Sequence, residues 1–126
     1  MSSGTFATAV NCMDGRTQLP VIEFLKAEYG VDYVDAVTEP GPIKILAEGS
    51  DSFLVESIKK RVGISVEKHG SKVVALVGHF DCAGNPVDKE TQLEQLEASA
   101  RRAAGWGYEI EIIKVWVDEN WTAHRV

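Results

Sequence analysis

Lys72-Val73-Val74-Ala75-Leu76-Val77-Gly78-His79-Phe80-Asp81-Cys82-Ala83-Gly84 decides the fold. Residues 73–78 form a near-continuous apolar run without alternation. A strand with one wet face alternates apolar and polar residues. This run instead predicts a strand covered on both faces, as in a parallel sheet. Gly70 precedes it, and a polar, turn-forming cluster follows at once. That cluster has too few glycines in the required places for a phosphate loop.

Outward from this strand, helix-like and strand-like segments alternate. Upstream, Phe53–His69 places Leu54, Ile58, Val62 and Val66 four apart, which predicts a long helix closed by Gly70. Gly63 inside it costs up to about 1 kcal/mol relative to Ala. Thr38–Gly49 contains Pro40, Gly41 and Pro42 and reads as a loop, with a short helical turn over Ile43–Ala47. Val31–Val37 reads as a strand. Leu19–Tyr29 has Leu19, Ile22, Leu25 and Tyr29 at helical spacing, with Thr17 as N-cap, Pro20 in the first turn and Gly30 past the end. Thr5–Asn11 is a first strand ending near Asp14-Gly15. Downstream, Thr91–Ala104 reads as a helix with Leu93, Leu96, Ala100 and Ala103 on one stripe and a capping box at Thr91 and Glu94. Ile110–Val117 is a last strand, and Asp118–Val126 is a polar tail containing Trp121 and His124.

The order β-α-β-loop-α-β-α-β predicts an α/β fold, a small doubly wound parallel sheet of about four strands in the order 2-1-3-4 with helices on both faces. The chain shows no repeat, low-complexity tract or linker, and 126 residues suit a single domain over 1–126. Thirteen basic against nineteen acidic residues give a formal charge of −6. That balance argues against a nucleic-acid partner and against an anionic membrane surface. No apolar run approaches the roughly 20 residues of a membrane span. Met1–Val10 has neither a basic nor an apolar leader region, so the expectation is a cytoplasmic chain without a signal peptide.

Cys12 and Cys82 are the only cysteines. They are buried apolar side chains, a redox pair or metal ligands. Their placement favours the last. Strand 1 runs into Asn11-Cys12-Met13-Asp14-Gly15-Arg16, and strand 3 runs into His79-Phe80-Asp81-Cys82. In the order 2-1-3-4 these ends are neighbours at the switch point, where such sheets bind ligands. Two thiolates and an imidazole suit Zn²⁺, and three protein ligands leave its fourth position open, as in catalytic sites. Asp14 and Arg16, two apart on a turn, can pair and keep the carboxylate ionised. Such a carboxylate either orients a nucleophile at the open position or ligates the metal and closes it. Asp81 reads as a loop cap or a support for the ligands, Phe80 as core packing ahead of a wall of an apolar pocket for a small nonpolar substrate, and His69 as a cation at a helix end. Trp106, Trp116 and Trp121 read as core or subunit contacts, and nothing in the sequence supports a proton-shuttle role for His124.

The pattern Cys12-x-Asp14-x-Arg16 followed by His79-x-x-Cys82 resembles the β-class carbonic anhydrases, and the resemblance runs from about Thr5 to Val117. It implies Cys12, His79 and Cys82 as zinc ligands, Asp14 and Arg16 as the catalytic dyad, and reversible hydration of carbon dioxide to bicarbonate in a homo-oligomer. The same parts would serve hydrolysis of carbonyl sulfide or carbon disulfide, or a non-catalytic zinc domain. Several family features differ. No glutamine stands before Cys12, Ala83 separates Cys82 from Gly84, and Glu39-Pro40-Gly41-Pro42 stands where the family has an Ala-Gly segment. No N-terminal helical arm precedes the first strand in this sequence, and the aromatic residues that a neighbouring subunit lends have no counterpart assignable here.

Overall fold

The structure is a computed structural model and describes residues 4–126. The first three residues of the Met1–Val10 leader reading lie outside the described residues. Strand β1 (Phe6–Cys12) leads through a 3₁₀ turn at Gly15–Thr17 to helix α1 (Gln18–Tyr29) and strand β2 (Tyr33–Glu39). Helices α2 (Pro42–Glu48) and α3 (Ser52–His69) lead to β3 (Val73–His79). Helix α4 (Lys89–Ala104), β4 (Glu111–Val117) and β5 (Ala123–Arg125) complete the chain. The sheet order is β2-β1-β3-β4-β5, parallel except for β5, which runs antiparallel to β4. The expected 2-1-3-4 order is present. The addition is β5, inside the segment read as a polar tail.

All seven residues of β3 are buried, as its unbroken apolar run requires. Its two faces feed separate cores. Val74 and Leu76 join Val10, Ile43, Leu46, Ile58, Val62 and Leu96 beneath α2, α3 and α4. Val73, Ala75 and Val77 join Ala7, Ala9, Val21, Leu25, Ile113 and Val115 beneath α1. Right-handed crossovers give this division: the chain steps one way from β1 to β2 and the other way thereafter.

Some local readings shift. The buried face of α1 is Val21 and Leu25, and Leu19 is exposed. Thr17 makes no side-chain cap bond; Asp14 caps the preceding 3₁₀ turn instead, accepting from Arg16 N. Helix α4 starts earlier than predicted, capped by Asp88 accepting from Thr91 N, so the Thr91–Glu94 capping box does not form. The short turn expected near Ile43 is a two-turn helix entered by Pro42 at its first position. Phe80 is exposed rather than packed in the core. Among the described residues no helix is long and apolar enough to cross a membrane.

Candidate metal centre

Strand pairing opens the site. β1 and β3 pair only from Thr8↔Val74 to Val10↔Leu76. β1 continues to Cys12 alongside β2, and β3 continues to His79 alongside β4. The two central strands therefore part at their carboxyl ends, and Cys12 and His79 stand on opposite lips of the gap. Asp81, in the left-handed region at φ 59°, turns the chain after β3 and returns Cys82 to the same gap. The structure thus brings together the three residues singled out from sequence: the ligand atoms of Cys12, His79 and Cys82 all lie within 4.8 Å of one another. All three residues are buried.

Two features fit this group to a metal. A zinc–sulfur bond is about 2.3 Å, so two of them at the tetrahedral angle set their sulfurs about 3.8 Å apart. Cys12 Sγ and Cys82 Sγ are 3.8 Å apart. His79 supplies the second. Its Nδ1 lies 2.7 Å from the Phe80 carbonyl oxygen, which can only accept. Nδ1 therefore carries the proton, and Nε2 presents a lone pair. Nε2 is the buried side-chain nitrogen or oxygen without a hydrogen-bond partner among the described residues. A lone pair left bare in the interior is costly unless something binds it.

The electrostatics agree. The Cys82 thiol donating to Cys12, then the neighbouring His79 ring and the backbone amides of Asp14 and Gly41, hold Cys12 well below the ordinary thiol range despite burial. Cys82 is pushed up, by its bond to Cys12 and by burial, although the Gly84 and Asn85 amides oppose the rise. The pair thus retains one proton, which a cation would displace. Burial opposes charge on His79, but the Cys12 sulfur and the Phe80 carbonyl outweigh it and raise its pKa.

Around this centre stand Asp14 and Arg16. Arg16 Nε lies 3.1 Å from Asp14 Oδ1 and Nη2 lies 2.7 Å from Oδ2, a two-point grip, and Arg16 N also donates to Oδ1. The guanidinium holds the Asp14 carboxyl at about 2. Arg16 reaches across the gap as well, donating from Nη2 to the Asp81 carbonyl and from Nη1 to the Asp81 carboxylate. Asp81 is thereby a support for Arg16 rather than for one of the ligand candidates.

Four supporting residues escaped the sequence reading. Buried Gln92 accepts from His79 N at 3.1 Å and donates to His79 O at 2.8 Å, clamping the peptide groups of His79. Gln18 donates to the carbonyls of Cys12 and Asp14, and Asn11 accepts from Cys12 N. The face of Trp121 lies 4.3 Å from the Arg16 guanidinium carbon. Beside the centre, Phe80, Asp81, Lys89, Gln92 and Trp116 line part of a cavity of about 350 Å³. The remaining histidines stand apart from the three ligand candidates: His69 pairs with Asp35, and His124 with Asp118.

Solved structures share this arrangement of elements. A β-carbonic anhydrase isoform I from Trichomonas vaginalis superposes with a TM-score of 0.64 at 13% identity, over 94% of this chain and 80% of that one. A carbonic anhydrase from Streptococcus mutans gives 0.58 at 17% identity, over 95% and 80%. A β-carbonic anhydrase of Aspergillus fumigatus gives 0.56 at 12%, over 99% and 91%. At such identities the likeness is one of fold. No curated protein sequence matches the chain. The family model described as "Putative carbonic anhydrase" matches residues 2–126, nearly the whole chain, and the protein belongs to that family.

Proposed function

We propose that this protein binds zinc through Cys12, His79 and Cys82 and catalyses the reversible hydration of carbon dioxide to bicarbonate. The observation that carries the reading is the bare, buried Nε2 of His79 facing two sulfurs at tetrahedral-metal spacing, with an ionised, Arg-gripped carboxylate beside them. Zinc bound there would supply a nucleophile at neutral pH, because it lowers the pKa of water to about 7.

The chain's own residues supply the rest. Arg16 holds Asp14 by both carboxylate oxygens, which keeps the group ionised and turned towards the guanidinium. Oδ1 already accepts from Arg16 N and Nε, whereas Oδ2 accepts chiefly from Nη2, so Oδ2 is the oxygen through which Asp14 can accept a proton or hydrogen bond from the nucleophile and aim it at carbon. The Phe80 carbonyl fixes the tautomer of the His79 ring, and Gln92 holds the His79 peptide groups from which the ring projects. The reading includes self-association, for which the exposed Met13, Leu19, Phe80 and Val87 are the support.

Stopped-flow carbon dioxide hydration on zinc-loaded protein, with parallel metal analysis, tests the reading. The expected result is close to one zinc per chain and a rate far above the uncatalysed reaction. Full zinc occupancy without acceleration would overturn the hydratase assignment and leave a metal-binding domain or a hydrolase of carbonyl sulfide or carbon disulfide. Absence of zinc in folded, reduced protein would overturn the ligand assignment itself.

A further inference from the structure

Trp121 comes from neither ligand-bearing loop, yet its ring covers one face of the Arg16 guanidinium at 4.3 Å. The turn that delivers it is built at some conformational cost. Trp121 has φ 57°, in the left-handed region that bulky side chains avoid. Asp118 holds it there. The Asp118 side chain accepts from Asn120 N and Thr122 N, Trp121 N donates to the Asp118 carbonyl, and Asp118 N donates to the Thr122 carbonyl. The second carboxylate oxygen of Asp118 lies 2.6 Å from His124 Nε2, which ties the turn to β5. This is a large share of bonding for a hairpin whose final strand has three residues.

The ring's placement complements the bonds that Arg16 makes. A guanidinium donates in its own plane, and its faces remain to be covered. In that plane Nε and Nη2 grip Asp14, while Nη1 and Nη2 reach Asp81. An aromatic face against the cation restricts rotation out of the gripping plane and keeps water off one side. We propose that Trp121 is a positioning residue for the Asp14–Arg16 pair. The β4–β5 hairpin holds the guanidinium in the plane from which it grips both oxygens of Asp14, and so keeps that carboxylate from swinging onto the metal position and closing it. The kinetic consequence rests on the hydratase reading; the physical restraint on Arg16 does not.

The test compares Trp121→Phe, which keeps an aryl face, with Trp121→Leu, which keeps apolar bulk and loses the face. Phenylglyoxal labelling followed by peptide mass mapping reads each arginine separately. In Trp121→Leu, Arg16 is expected to label roughly three- to tenfold faster than in the parent, as loss of a cation–aromatic contact allows. Trp121→Phe should stay close to the parent, and Arg61, Arg101 and Arg102 should be unchanged in both. With zinc content retained, kcat for hydration should fall several-fold in Trp121→Leu and recover in Trp121→Phe, with KM nearly constant. Equal Arg16 labelling in the two variants, whether at the parent rate or faster alongside every other arginine, would overturn the proposal. If the parent protein itself fails to hydrate carbon dioxide, the hydratase reading falls, while the labelling contrast still decides the role of Trp121.

Discussion

Gln92 sits fully inside the protein and spends both ends of its amide on one peptide segment, that of His79. Gln92→Leu keeps the volume and removes both bonds, leaving the His79 N–H and C=O buried and bare. Orphaning two such groups should cost about 2–4 kcal/mol in urea unfolding. Zinc affinity, measured by chelator competition, should fall roughly 10- to 100-fold, as for other groups that orient a ligand. Unchanged affinity would show that the His79 ring is held by the Phe80 carbonyl alone. Asp14 gives a second expectation, in pH. Its carboxyl is depressed to about 2 by Arg16, so folding makes it a stronger acid than in the unfolded chain. Stability from the pair is therefore full above the ordinary carboxyl range near pH 4 and is lost as pH falls towards 2. Acid-unfolding curves of the parent and Asp14→Asn should differ above pH 4 and converge near pH 2; a constant offset would remove Asp14 from the linkage. The residues with reactive side chains were legible because they adjoin the ends of strong strands. Gln92 was not, because a polar residue in a helix reads as solvated. A signal existed in the spacing of Gln92, Leu96, Ser99 and Ala103, which form the buried stripe of α4.

At the scale of elements, the site depends on loops that interlock rather than on the strands alone. A Cβ on Gly84 would lie 2.6 Å from the Pro40 carbonyl carbon, and one on Gly41 would lie 2.8 Å from Asn85 Cβ. The loop after β2 and the loop carrying Cys82 are thus in close contact, with both glycines at the seam. This gives a physical reason for two departures from the β-class pattern, Gly84 one place later and Pro40-Gly41-Pro42 after β2: they stand against each other. Gly84→Ala must push backbone away from backbone, and overpacking of this kind costs about 1–3 kcal/mol. The expected result is a lower Tm together with weaker zinc binding, because the displaced loop carries Cys82; a folded variant with parental affinity would show that the seam is slack. The parallel strands and their helices were readable from apolar periodicity. β5 was not, since Ala123-His124-Arg125 has no apolar pattern and joins the sheet through backbone bonds to Val115, Trp116 and Val117. The onset of α4 was misplaced because Asp88, three residues before Thr91, competes as a cap and lies outside the apolar stripe.

Across the whole molecule, the fold itself brings the three ligand candidates together. Two apolar clusters lie on opposite faces of the sheet, and each is complete apart from the site. The strand order alone sets Cys12 and His79 on adjacent strands, so a bound ion is not needed to assemble them. This differs from small zinc modules, whose cores are too slight to fold without metal. Two consequences follow for metal removal. Far-UV circular dichroism should be unchanged by a chelator under reducing conditions, because the secondary structure rests on the cores. Thermal stability should nonetheless drop, since a ligand that binds only the folded state stabilises it by mass action, about 4 kcal/mol at a thousandfold excess over Kd. For a chain of this size that is a Tm loss of roughly 10–20 °C. Re-addition of zinc should restore it in the parent and not in Cys82→Ser. Unfolding of the metal-free protein at 25 °C would show instead that the cores are insufficient and that the metal is part of the fold. An unchanged Tm would show that no metal binds at Cys12, His79 and Cys82.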